Sequence, residues 1–344
     1  MSAVQLIKAP TEAPDDLGPV AVLEAAGLRA SDIIALVAKS EGNGCVNDFS
    51  RTLTSHAWRR VLPDHAISVV SGGTEGVLSP HVTLVAADRR EHAPTRGLCG
   101  QVARTPPIPL REVGRTGQLN AVAAAVGETV RSLGATADEV HLVLVKCPLL
   151  TTDRIARCIA AGESPVSSDA YESMACSRRA SALGVAVALG ECSRPEAERT
   201  LEEGGPAWSS VASVSSGAEL DDCQLLVLAG SAGEGRLRAC RAVMTDALDM
   251  ASVAGLLAQV AAEGGRVVQL FAKAEADPTG RVRGRRHTML TDSDIHSTRH
   301  ARAAVGGLLA AMVGDSCVYV SGGAEAQGPP GGGPVTIVYE VPGG

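Results

Sequence analysis

The chain has 344 residues, a formal net charge of −7, 45% apolar residues and only 2% aromatic ones. A negative chain with no polybasic run excludes nucleic acid and anionic membrane as main partners. Nine scattered cysteines without a C-x-x-C pair argue for reduced thiols rather than a disulfide framework or zinc site. With no signal pattern and no apolar run near the roughly 20 residues of a spanning helix, a cytoplasmic protein of two or three domain-sized units is expected.

In chain order, residues 17–27 read as a helix closed by Gly27, and 33–38 as an apolar strand ending at Lys39. A Gly/Asn-rich turn (41–47) precedes a helix from Asp48 to about Val61, a strand over 66–70 and a turn at Ser71. A strand over 82–86 follows, then an Arg-rich stretch to about Pro94, and the Pro-rich segment 105–110 reads as a linker. The next unit has an amphipathic helix over 118–133 and a strand over 140–145 that ends at Lys146. Residues 177–189 are a small-residue helix or strand, 196–205 a charged excursion, and 211–214 a strand entering the turn at Ser215. Strands over 224–229 and 237–244 close this unit. The last unit reads as a helix over 250–263, a strand over 267–272 ending at Lys273 and a basic hairpin over 277–286. A helix over 297–313 and a strand over 318–320 lead to a turn at Ser321. Units are expected over 1–104, 111–247 and 250–344.

Those units are copies. Val70-Ser71-Gly72-Gly73-Thr74-Glu75, Val214-Ser215-Ser216-Gly217-Ala218-Glu219 and Val320-Ser321-Gly322-Gly323-Ala324-Glu325 all read Val-Ser-x-Gly-x-Glu after an apolar strand. A lysine ends the preceding strand each time (Lys39, Lys146, Lys273), and an arginine series is fainter: Arg178 and Arg299 share the frame Arg-x-Ala-x-Ala, and Arg51 matches them by order. Three such units packed around a pseudo-threefold axis would bring the Ser turns and Lys strand ends to one pocket. It would suit a small planar ring rich in oxygen, gripped by Arg forks and backbone N–H groups. The available chemistry is attack by Ser with a neutral Lys as general base. Lys39 and Lys273 each have a glutamate two residues on (Glu41, Glu275), whereas Lys146 is followed by Cys147-Pro148. Lys146, without a carboxylate partner, is therefore expected to lose its proton most easily, which selects it as base and Ser215 as nucleophile.

The chain resembles the cyanuric acid amidohydrolase and barbiturase family of ring-opening amidohydrolases. Long strings carry the resemblance through all three units, among them Lys39-Ser40-Glu41-Gly42-Asn43-Gly44-Cys45-Val46-Asn47-Asp48, Val145-Lys146-Cys147-Pro148-Leu149-Leu150 and Ser297-Thr298-Arg299-His300-Ala301-Arg302. It implies an α/β fold of three similar units around a pseudo-threefold axis, with a central active site. Implied with it is hydrolysis of a cyclic amide by the second unit's Ser–Lys pair. The implied ring-binding residues are Arg51, Ser71, Gly72, Arg178, Ser215, Ser216, Arg299, Ser321 and Gly322, with Lys39 and Lys273 in support. A homotetramer is implied too, as is a structural Mg²⁺ or Ca²⁺ held by Glu275, Ala324, Gln327, Gly328, Pro329 and Gly332, mostly through main-chain oxygens. No organic cofactor is expected.

The cluster His287, Asp292, Asp294, His296 and His300 lacks zinc-site spacing. Residues 322–333 lack the G-K-[ST] end of a phosphate loop. Cys147 should face away from Lys146, into the core. The expected reaction is the opening of cyanuric acid to carboxybiuret, then biuret and CO₂. The alternatives are opening of barbituric acid to ureidomalonate and non-catalytic binding of small planar rings.

Overall fold

The computed structural model describes residues 3–88, 97–231 and 235–342; the Arg-rich stretch to Pro94 lies outside them. The first sheet is built from β1 (Val4–Pro10), β2 (Ile33–Ser40), β3 (Ile67–Gly72) and β4 (His81–Ala87), with helices α1 (Pro19–Ala25) and α2 (Phe49–Trp58) between strands. Its order is β1-β4-β2-β3. The second contains β5 (Cys99–Arg104), α3 (Thr116–Leu133), β6 (Val140–Pro148), α4 (Thr152–Ala160), α5 (Ala170–Ala188), α6 (Arg194–Glu203), β7 (Ala212–Gly217) and β8 (Gln224–Ala229), ordered β5-β8-β6-β7. The third contains β9 (Leu237–Met244), α7 (Met250–Ala262), β10 (Arg266–Ala274), a small hairpin of β11 (Arg281–Val282) and β12 (Arg285–Arg286), α8 (Ser297–Val313), β13 (Tyr319–Gly322) and β14 (Gly333–Glu340). Its main sheet runs β9-β14-β10-β13.

The topology is the same three times. In each unit the Lys strand (β2, β6, β10) pairs parallel with the Ser strand (β3, β7, β13), and a helix (α2, α5, α8) supplies the crossover that parallel pairing needs. Even a register shift near the start of each Lys strand repeats, at Ile33/Ala35, Val140/Leu142 and Val267/Gln269.

The sheets divide the chain differently from the expected boundaries. β5, expected in the first unit, pairs with β8, and β9, expected in the second, pairs with β14. Each unit opens with an antiparallel edge strand ahead of its first helix, so units begun at a helix assign that strand to the unit before. The Pro-rich segment 105–110 is accordingly no linker between units. Thr105 and Ile108 donate backbone hydrogen bonds to Cys223 and Asp221, within the second unit.

Strand alternation then decides where the chemistry lies. Leu36 and Ala38 pack outward with Trp58 under the helices, while Ala35 and Val37 join a central layer drawn from all three sheets, including Leu142, Leu144, Phe271 and Tyr319. Full burial of such a Leu or Val contributes about 1.5–3 kcal/mol, so this layer locks the sheets to one another. Lys39, Lys146 and Lys273 follow Val37, Leu144 and Phe271 by two residues, which puts all three amines on the inner face. Cys147 points the other way into the second unit's outer core, as expected.

Candidate active site

Strand pairing sets Lys39 opposite Ser71, Lys146 opposite Ser215 and Lys273 opposite Ser321. Ser71, Ser215 and Ser321 line a single cavity at the end of the apolar layer, together with Gly72, Ser216, Gly322, Arg51 and Arg178. Ser71 Oγ donates to Ser321 Oγ at 3.4 Å, so hydroxyls 250 residues apart in sequence touch.

The three lysines are all buried, and their partners differ. Lys39 donates to Ser71 Oγ at 3.3 Å and Gly72 O at 3.0 Å. Lys273 donates to Ser321 Oγ at 3.2 Å, Gly322 O at 3.1 Å and, across the seam, Val214 O at 2.8 Å. Lys146 likewise crosses a seam to Val70 O at 2.7 Å and reaches Ser216 O at 3.2 Å. Ser215 Oγ is buried without a hydrogen bond. Tyr319 stands nearby; burial pushes its phenol far up, and the Ser71 and Ser215 hydroxyls oppose this.

Burial lowers all three amines. Lys273 falls to about 7, with Arg178 adding to the effect of burial, and Lys39 falls well below the usual lysine range, with Arg302 adding to it. The expected electrostatic contrast holds only in part: Glu275 does favour the Lys273 ammonium, together with Glu325, and Glu75 rather than Glu41 favours that of Lys39. Glu41 is exposed, whereas Lys146 has a carboxylate: Glu219 Oε1 lies 3.3 Å from its Nζ and opposes the effect of burial. That partner is invisible two residues along the chain because it returns from the turn after the neighbouring strand.

The arginines come from helix N-terminal halves. Asp48 caps α2 by accepting from the Ser50 and Arg51 N–H groups, which fixes the turn carrying Arg51. Arg51 donates to Ser216 O at 3.3 Å and Cys45 O at 3.0 Å. Arg178 holds Glu325 through Nε at 2.7 Å and Nη2 at 2.6 Å, and donates to Ser216 Oγ at 3.4 Å. The third fork is Arg302, not Arg299. Arg302 lines the cavity with its side chain 4% exposed, while that of Arg299 is 37% exposed and meets Glu75 at 3.4 Å. The two residues stand three apart on one face of α8, and only the depth at which the helix meets the sheets selects between them.

The glutamate of the Ser turns, given no role by sequence reasoning, adds to the ring of charged groups at two of the three junctions. Glu75 of the first turn holds Arg302 of the third unit, with Nε donating at 2.8 Å. Glu325 of the third turn holds Arg178 of the second. Gly73 and Gly323 make room: both have positive φ, 98° and 76°, and a Cβ at Gly323 would lie 2.7 Å from Arg178 Nε.

Beside this ring, the carboxyl of Glu275 is pushed up to about 7 by burial and by Glu325, with an N–H bond from Ala324 opposing. A cation there would relieve this, and the adjoining turn carries main-chain oxygens of Ala324, Gly328, Pro329 and Gly332, a donor type that suits a hard divalent ion, although those of Ala324 and Pro329 also accept from the Gln327 and Gly332 N–H groups. The Gln327 side chain is otherwise engaged. Its Oε1 accepts from Val214 N at 2.6 Å and its Nε2 donates to Gly323 O at 3.2 Å, so its main-chain oxygen is the one left to offer. Among the described residues no three His, Cys, Asp or Glu gather as a metal site, and no helix is long and apolar enough to cross a membrane.

Three α/β units enclosing one cavity with hydroxyls, amines and guanidinium forks define a hydrolase whose site is shared among repeats. Residues 5–340 match the family described as amidohydrolase ring-opening protein, and the chain belongs to that family. It is 60% identical over 342 residues to a cyanuric acid amidohydrolase of Pseudonocardia dioxanivorans, covering 99% of each chain. It is 54% identical to one from a Rhodococcus species, covering 99% of this chain and 97% of that one. The fold superposes on the cyanuric acid hydrolase of A. caulinodans with a TM-score of 0.92 at 40% identity and 99% coverage of both chains. A second cyanuric acid hydrolase, described as an innovation by structural concatenation, gives 0.91 over 99% of this chain and all of that one.

Proposed function

We propose that this protein hydrolyses cyanuric acid, opening the ring at one C–N bond. The observation that carries the reading is the cavity itself: three Ser turns and three Arg forks around one axis match a ring that presents the same edge three times. Full-length relatives named for this substrate support it.

Ser215 is the nucleophile and Lys146 the base in this reading. Ser215 has the hydroxyl left without a bond, beside a buried amine on the adjacent strand. Neutral Lys146 takes the Ser215 proton as Oγ attacks a ring carbonyl carbon. The oxyanion is held by turn N–H groups and an Arg fork. Collapse breaks the C–N bond, and the leaving nitrogen takes its proton from the Lys146 ammonium. Water, deprotonated by Lys146, then attacks the acyl carbon and displaces Ser215 Oγ, which takes the proton back from the ammonium; the carboxybiuret released loses CO₂ to give biuret. Ser71 and Ser321, each already bonded to its own lysine, position the other two edges of the ring.

A Mg²⁺ or Ca²⁺ ion held by Glu275 and the 324–332 turn would supply structural neutralisation, tying the end of β10 to the third Ser turn. Chelation is then expected to lower the thermal midpoint, with restoration by either ion.

The deciding measurement is loss of ring absorbance with cyanuric acid and with barbituric acid in separate assays. Turnover of cyanuric acid is the expected result. Opening of barbituric acid alone would transfer the substrate to the ring with one N–H replaced by CH₂, and turnover of neither would leave a ring binder.

A further inference from the structure

The three turn glutamates do not behave alike. Glu75 and Glu325 are spent on the arginine of a neighbouring unit, Arg302 and Arg178. Glu219 instead folds back over its own unit, 3.3 Å from Lys146. A backbone difference directs it. β7 stays paired one residue further than its sisters, to Gly217 opposite Pro148, and Gly217 is absent from the positive-φ glycines that include Gly73 and Gly323. The Glu219 carboxylate lies where a Cβ on Gly217 would be. Arg51, whose counterparts Arg178 and Arg302 are held by glutamates, spends its fork on the Ser216 and Cys45 carbonyls.

We infer that Glu219 is a positioning residue for the Ser215–Lys146 pair, holding the amine in place and balancing the ammonium formed when Lys146 takes the Ser215 proton. This rests on the functional reading above and adds a third member to the pair. The charged and titratable groups facing Lys146 are Glu219 from the turn, Arg51 from α2 and Cys147 on its own strand; those facing Glu219 are Lys146 and Arg51. Arg51 and burial favour the neutral amine needed at the start, and Glu219 favours the ammonium needed midway. Glu219 offsets the charge that Lys146 gains midway, on an amine that is fully buried.

The test is the pH profile of kcat/KM for cyanuric acid on the full chain. Activity should rise with pH as Lys146 loses its proton. With Glu219→Gln the rising limb should move to lower pH by about one unit or more, the range for losing an opposite charge this close. The plateau kcat should fall at least about tenfold, because the ammonium loses its counter-charge. Glu75→Gln and Glu325→Gln should raise KM with the limb in place. If Glu219→Gln does not fold, Glu219→Asp serves: withdrawn by one methylene, its carboxylate should give a smaller shift in the same direction. An unmoved limb in an active variant overturns the inference and leaves the hydrolase reading standing. A wild-type protein that opens neither cyanuric nor barbituric acid overturns both.

Discussion

The second unit and its two sisters share strand order, register and motif, yet they surround their lysines differently. In the first and third units the lysine is bonded to its own serine and the turn glutamate leaves to hold a neighbouring arginine. In the second the serine hydroxyl is unbonded and the glutamate stays with the lysine. The second repeat differs by one residue of strand pairing, with Ser216 where its sisters have Gly72 and Gly322 and Cys147-Pro148 after its lysine. In the reading proposed above, two units thereby serve as grips and the third as the reactive pair.

The sharpest way to break this contrast is to truncate each serine. Ser215→Ala should lower kcat by about four orders of magnitude or more, as loss of a nucleophile does, whereas Ser71→Ala and Ser321→Ala should act mainly through KM. Equal losses in kcat for the three, read by ring absorbance, would erase the distinction. Next come the amines. Lys146→Met should cost about 10²–10⁴ in kcat, the range for general acid–base catalysis. Lys39→Met should hold kcat within about tenfold, with thermal melting as the control for folding.

What faces each lysine from the other side gives a third, smaller effect. His81 pairs with Lys39 where Gln224 pairs with Lys146. Burial pushes His81 down to about 4, against an N–H bond from Nδ1 to Ser79 O at 2.8 Å. A histidine held neutral in the fold stabilises it fully above about pH 6.5, and that contribution is lost as pH falls through 4. The interval of about 2.5 units is worth roughly 3 kcal/mol. His81→Gln, copying the second unit, should flatten the fall in thermal midpoint between pH 6.5 and 4. The smallest effects separate the two arginines of α8. Arg302→Lys should raise KM about tenfold, losing a planar fork, while Arg299→Lys should stay within about twofold in the same assay.

Much of this was legible in the sequence because the three lysines and three serine turns recur in order and strand alternation turns order into a common face. The α8 helix and the β8 and β9 strands fall where the pattern placed them. The segment 177–189 was ambiguous because α5 is buried on nearly all sides among small residues, with Gly184 so close that a Cβ would lie 2.6 Å from Leu119 O. The opening strands were illegible for another reason. β1 contains Lys8 and Pro10, and β5 contains Gly100, whose missing Cβ lets Val4 approach; neither shows a clean alternating pattern. Arg302 and Glu219 are matters of depth and turn path, set by tertiary packing and absent from spacing.

Two of the lysines donate to a carbonyl of the adjoining unit, Lys146 to Val70 and Lys273 to Val214. The second or the third unit cut out and produced alone would retain its hydroxyl and its amine but lose an acceptor that aims the amine, along with the apolar wall behind it. Competence therefore belongs to the closed circle, and slackening one junction should be felt at a serine on the far side of the axis.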